Sequence, residues 1–134
     1  IDGFQQWLYE HPHHSIEERT EAWMNIITNF SSNAIDFSGL LPYRKYSWQK
    51  QLHLFEVPFY YIEYGIAQLG AIGMWKQFKE NKQQALENYT KALSLGGTCT
   101  LPELYEAAGL PFDFSPERIK VLMDMVRDEL QKLD

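Results

Sequence analysis

One histidine and three tyrosines crowd around a single proline in HLFEVPFYYIEY: His53, then Pro58, then Tyr60, Tyr61 and Tyr64, with Glu63 among them. Imidazole and phenol groups donate hydrogen bonds, and such donors stabilise negative charge as it develops on a reacting oxygen. Pro58 removes a backbone donor and disfavours helical geometry at Val57, so the chain must bend between His53 and Tyr60. A helix starting after that bend would add its positive end to the donors. At helical spacing Tyr60 and Tyr64 lie one turn apart and Tyr61 and Tyr64 three residues apart, so at least two phenols share a face. The same residues also fit a plainer arrangement, in which the tyrosines are core aromatics and His53 bonds a carbonyl freed at Pro58.

Other chemistry-bearing residues carry less. His11, His13 and His14 in HPHH have metal-ligating side chains, but no Cys or further His stands at ligand spacing, and an ordinary exposed turn is expected. Cys99 follows GGT near a helix start without a basic neighbour that would make it a nucleophile. Glu17, Glu18 and Glu21 read as a solvated helix face. No HExxH, P-loop or GxSxG occurs, so the chain holds no complete motif for hydrolytic chemistry.

The elements that must position these residues read as helices throughout. Residues 1–10 carry Phe4, Trp7 and Leu8 at helical spacing and stop at Pro12. Ser15 and Glu18 form a capping box for a second helix, bearing Ile16, Trp23, Ile26, Ile27 and Phe30 and ended by Ser31, Ser32 and Asn33. Residues 34–42, with Gly39 and Pro42, read as a loop with one helical turn. A third helix is expected over about 43–55. The central helix, about 59–79, is apolar on nearly every face and on that ground is expected to be buried. Asn81 caps a helix over about 82–95, closed by Gly96 and Gly97. Thr100 caps LPELYEAAG, and Ser115 with Pro116 opens the last helix. With no period-two strand pattern, the fold is expected to be all-α, about six or seven helices around the central one.

Composition sets the limits. The 134 residues are 45% hydrophobic, enough for one helical domain with a real core over residues 1–134. A net charge of −6, with twelve Lys and Arg scattered among eighteen acids, leaves no basic footprint for nucleic acid. A lone cysteine fits a reducing, cytoplasmic setting. IDGFQQWLYE has neither a basic region nor a long apolar run, so no secretory signal is expected. The apolar run after Pro58 carries Glu63 and falls short of the about 20 residues a membrane span needs. Ile1 begins in mid-pattern, which suggests a chain cut from something larger.

HLFEVPFYYIEYGIAQLGA, together with DGFQQWLY upstream and ALSLGG and LPELYEAAGLPFDFSPE downstream, resembles the C-terminal part of the oligoendopeptidase F family. Those are zinc metallopeptidases, more distantly related to thimet oligopeptidase. The likeness covers essentially the whole chain. It implies a hydrolase, a metalloprotease of largely helical fold that cleaves short peptides in an enclosed channel. In the family the zinc is held by the two histidines of HExxH and a glutamate on a following helix, and neither segment is present here, so no metal is expected on this chain.

What the resemblance does carry over is the other wall of the cleft. It implies that His53 contacts substrate near the scissile bond. Tyr61 and Tyr64 match a tyrosine pair that faces the metal and stabilises the tetrahedral oxyanion, with Tyr60 a third, substrate-binding candidate. Glu56 and Pro58 stand where distant relatives have a flexible glycine-rich loop, so loop mobility does not transfer. The implied partners are an oligopeptide substrate and the missing N-terminal peptidase segment, with no nucleic acid or membrane. An apolar wall left exposed would make the isolated chain self-associate into a homo-oligomer. A second function class remains open at this point: QQALENYTKALSLGG reads like the second helix of a tetratricopeptide repeat, an interaction module, although its roughly 34-residue period does not recur.

Overall fold

The structure, a computed structural model, describes residues 1–32 and 34–133. Every regular element among them is helical: eight α-helices and two 3-10 turns, as the all-α expectation required. The chain divides into two compact units, Ile1–Glu63 and the residues from Tyr64 onward.

In the first unit, α1 (Asp2–Glu10) and α2 (Ile16–Asn29) pack on one another. The capping box is formed, with Glu18 N–H donating to Ser15 Oγ at 3.1 Å and Ser15 N–H donating to the Glu18 carboxylate at 2.8 Å. Helix α2 stops at Asn29, and Ser31 Oγ donates back to the Ile27 carbonyl at 2.6 Å, so the turn ends on a side-chain bond. Asn33, assigned a part in that stop, lies outside the described residues.

Three aromatics form the core of this unit: Phe4, Trp23 and Trp48, with Phe4 at 5.2 Å and 5.4 Å from the two indoles. A buried indole needs a partner for its N–H, and Trp23 Nε1 donates to the Arg44 carbonyl at 2.9 Å. That bond explains a correction to the reading above. The expected helix over 43–55 is broken into α3 (Leu41–Arg44), a 3-10 turn at Ser47–Lys50 and α4 (His53–Glu56). The Arg44 carbonyl, which a continuous helix would use for its own ladder, instead accepts from Trp23 and from Ser47 Oγ at 2.8 Å. Freed from the ladder, the chain swings Trp48 into the core.

Helix α5 (Ile62–Glu80) crosses the division between the units. Beyond it stand α6 (Lys82–Leu95), α7 (Leu101–Ala107) and α8 (Pro116–Leu130). Their starts follow local chemistry: Asn81 accepts from Gln84 N–H at 3.2 Å, Ser115 Oγ from Arg118 N–H at 3.2 Å, and Thr100 pairs with Glu103 in a second capping box. The core here is Ala92, Ala108 and Leu110, with Met74, Leu104 and Tyr105 against it.

The expectation that the central helix is buried is corrected. Gly73 is its buried residue, whereas Ile62, Tyr64, Trp75 and Phe78 are 38 to 51% exposed. An apolar helix is covered only where something packs on it, and Tyr105 and Leu110 approach α5 at Gly70 and Gly73, with Met74 against the same core. There the approach is close: a Cβ on Gly70 would stand 2.6 Å from the Tyr105 hydroxyl, which donates to the Ile66 carbonyl at 2.6 Å.

Candidate functional site

His53 is the first residue of α4, and α4 ends at Glu56 because Val57, its capping residue, precedes a proline. Val57 leaves helical geometry at φ −136°, ψ 87°, and the Tyr60 N–H returns to the Val57 carbonyl at 3.3 Å. Between them Phe59 has φ +58°. Proline second and a left-handed residue third is the pattern of a type II turn, whose third position glycine or asparagine normally fills. An aromatic side chain there carries a steric cost of about 1–2 kcal/mol.

Two contacts hold Phe59 in place. Its N–H donates to Oε1 of Gln5 at 3.0 Å, and its ring meets the Tyr9 ring edge-on with centroids 5.0 Å apart. Gln5 is only 1% exposed, and its amide nitrogen reaches the Tyr9 hydroxyl at 3.4 Å. Neither residue stood out in the sequence as part of a site. A glutamine beside Phe4 on an amphipathic helix was the available signal, and its partner lies 54 residues away.

The bend brings His53, Tyr60 and Tyr61 together. The Tyr60 ring stacks on the imidazole at 5.7 Å with 15° between planes, and the Tyr61 ring meets it edge-on at 5.5 Å and 90°. Two phenol rings thus pack on the histidine, one stacked and one perpendicular. His53 and Tyr61 are partly buried and Tyr60 is 41% exposed. Because α5 begins at Ile62, Tyr60 and Tyr61 precede the helix, which corrects the assumption that helical spacing relates them to Tyr64. The helix starts where Glu63 N–H reaches the Tyr60 carbonyl at 3.0 Å, so Tyr60 is held by backbone bonds on both sides. Tyr64 itself lies on α5, 51% exposed, as the first residue of the second unit.

The remaining candidates settle into local structure. His11 Nδ1 donates to the Trp7 carbonyl at 2.9 Å, and the His11 and His14 rings lie 4.6 Å and 5.3 Å from the Trp7 ring. Cys99 is a partly buried thiol outside any disulfide. Among the described residues no three His, Cys, Asp or Glu side chains assemble into a set able to hold a metal ion, and no helix is long and apolar enough to cross a membrane.

The chain as a whole has clear relatives. It is 33% identical over 82 residues to an oligoendopeptidase F homologue of Borreliella burgdorferi, a match spanning 61% of this chain and 13% of that protein. Its fold matches a solved structure of PZ peptidase A with an inhibitor at a TM-score of 0.86 and 30% identity, over 99% of this chain and 24% of that one. The chain therefore spans a quarter or less of the length of these relatives. Residues 1–120 match the sequence model of peptidase family M3, and the chain belongs to that family.

Proposed function

We propose that this chain is the C-terminal part of the catalytic domain of a cytoplasmic, zinc-dependent oligoendopeptidase, and that it supplies the wall of the cleft which binds short peptides and stabilises the oxyanion. The observation that carries the reading is the packing of Tyr60 and Tyr61 around His53 at the Pro58 bend, in a chain of family M3. His53 and Tyr60 contact the peptide near the scissile bond. Tyr61 and Tyr64 donate hydrogen bonds to the carbonyl oxygen as it gains charge in the tetrahedral intermediate. Among the described residues no set of His, Cys, Asp or Glu side chains fits the zinc ion that the resemblance implies.

What these side chains contribute is preorganised donation. A phenol held by ring packing need not reorient when the charge develops, and one such donor is worth about 2.7 to 4 kcal/mol in the transition state. The other proposed partner is the rest of the peptidase, which would cover the exposed apolar residues of α5; the isolated chain would instead associate with itself. No nucleic-acid or membrane partner is proposed.

The test is steady-state cleavage of a short peptide by the intact peptidase carrying Tyr64→Phe. Turnover is expected to fall by about 100- to 1,000-fold with KM little changed. Turnover within about twofold of the parent would overturn the oxyanion role, given the size a real donor has. In the same assay the isolated 134-residue chain is expected to leave the peptide intact. Chelator-sensitive cleavage by that chain would show a complete site where only a wall is proposed.

A further inference from the structure

Gln5 is a buried polar side chain on a helix that otherwise serves the aromatic core. Burying a carboxamide is unfavourable unless its polar atoms are satisfied, and Gln5 spends its oxygen on one atom pair, the Phe59 N–H at 3.0 Å. That N–H belongs to the residue with φ +58°, directly before the two tyrosines that pack on His53. Bringing Phe59 to an ordinary negative φ by flipping the Pro58–Phe59 peptide would turn this N–H away from Gln5 and disturb the backbone leading to Tyr60 and Tyr61. The other end of the bend is fixed already, since the Tyr60 carbonyl accepts from Glu63 N–H at the start of α5. Within that frame, closed also by the Tyr60 N–H on the Val57 carbonyl, the Pro58–Phe59 peptide is the part of the bend whose orientation Gln5 holds.

We propose that Gln5 is a positioning residue: its side-chain carbonyl, by holding the Phe59 N–H, keeps the bend left-handed and so sets Tyr60 and Tyr61 against His53. This rests on the substrate and oxyanion roles proposed above for those three residues. Gln5 touches none of the reacting atoms. Its effect passes through the backbone of residues 59–61, and misplacement of such groups by about 1 Å can cost on the order of 100-fold in rate.

The experiment measures amide hydrogen exchange at Phe59 together with kcat and KM per titrated active site, in the intact peptidase and in its Gln5→Met and Tyr61→Phe variants. In the unsubstituted enzyme the Phe59 amide is expected to exchange about 100-fold or more slower than in an unstructured peptide, because a bonded, shielded amide must open first. In Gln5→Met that protection is lost and kcat falls about 10- to 100-fold while KM stays within about threefold, a split that a loss of stability alone does not produce. Gln5→Asn, which withdraws the oxygen by one methylene but keeps the amide, gives the same comparison should the methionine variant not fold. Fast exchange at Phe59 in the unsubstituted enzyme would overturn the proposal. So would lost protection with unchanged kcat, when Tyr61→Phe lowers kcat in the same series. An inert Tyr61→Phe would instead overturn the oxyanion reading on which the proposal stands.

Discussion

Among the described residues Phe59, Gly96 and Gly109 have positive φ, and the turns at Phe59 and Gly109 meet that need in opposite ways. At the end of α7 the residue is Gly109, φ +68°; at the bend before α5 it is Phe59, φ +58°. Side-chain amides brace both. Gln77 Nε2 donates to the Gly109 and Ala108 carbonyls at 2.6 Å and 3.2 Å, and Gln5 Oε1 accepts from Phe59. At Gly109 the left-handed backbone itself favours glycine, and a Cβ would also stand 2.6 Å from Asn88 Nδ2, the end of a side chain that would have to move. At Phe59 nothing comparable excludes glycine, yet the chain carries an aromatic residue in a conformation that costs it energy. Strain of that kind gathers where surrounding structure fixes a geometry for another purpose. Beside Phe59 stand His53, Tyr60 and Tyr61; beside Gly109 stands only the corner between helices.

Breaking the glycine turn should have the largest effect. Gly109→Ala puts a Cβ into left-handed backbone, at about 1–2 kcal/mol, and moves the Asn88 amide off its bond to Gln77, at a further about 0.5–1.5 kcal/mol. The urea midpoint should fall accordingly, with α7 and the Leu110 contact loosened first. A midpoint unchanged within error would mean that the Gln77 and Asn88 amides yield freely and that Gly109 is no tighter a turn than Phe59.

Removing the brace at that corner should cost less. Gln77→Leu leaves the Ala108 and Gly109 carbonyls and the Asn88 amide, which donates to Gln77 Oε1 at 3.1 Å, without their protein partner. Ala108 is buried but Gly109 is exposed, so water can take over part of the loss. About 1–2 kcal/mol is expected from chemical denaturation, since a stranded polar group costs about that much when only partly shielded. A larger loss than that of Gly109→Ala would reverse the ranking and make the amide, rather than the glycine, the determinant of the turn.

These turns also mark what the sequence did and did not disclose. Helix starts at Ser15, Asn81, Thr100 and Ser115 were legible because a cap and its partner lie within three residues. The bend at Pro58 was legible for the same reason, proline acting on its own neighbour. The break in the expected helix over 43–55 was not, because its cause is an indole 21 residues upstream that takes the Arg44 carbonyl. Nor was Gln5, whose partner is found only once α1 has packed. The exposure of α5 follows the same logic: an apolar sequence states that a helix can be covered on all sides, not which of its faces this chain covers. At the candidate site, the histidine and tyrosines could be named in advance, while the backbone geometry that places them could not.

Phe59→Gly sharpens the comparison with the smallest change in stability. Glycine accepts φ +58° without the Cβ penalty, a gain of about 1–2 kcal/mol. Against this, the unfolded chain gains freedom worth about 0.4–1 kcal/mol. The edge contact with Tyr9 is also lost, at about 0.5–1.5 kcal/mol, although Phe59 is already 57% exposed and buries little else. The terms nearly cancel, so the unfolding free energy from urea denaturation should change by no more than about 1 kcal/mol in either direction. Placement should respond where stability does not. A glycine at 59 samples both signs of φ, and amide exchange at Tyr60 and Tyr61 should quicken even with Gln5 intact. A midpoint lowered as far as in Gly109→Ala would mean that the ring at 59 holds the bend by packing, and that the two turns differ in residue but not in kind.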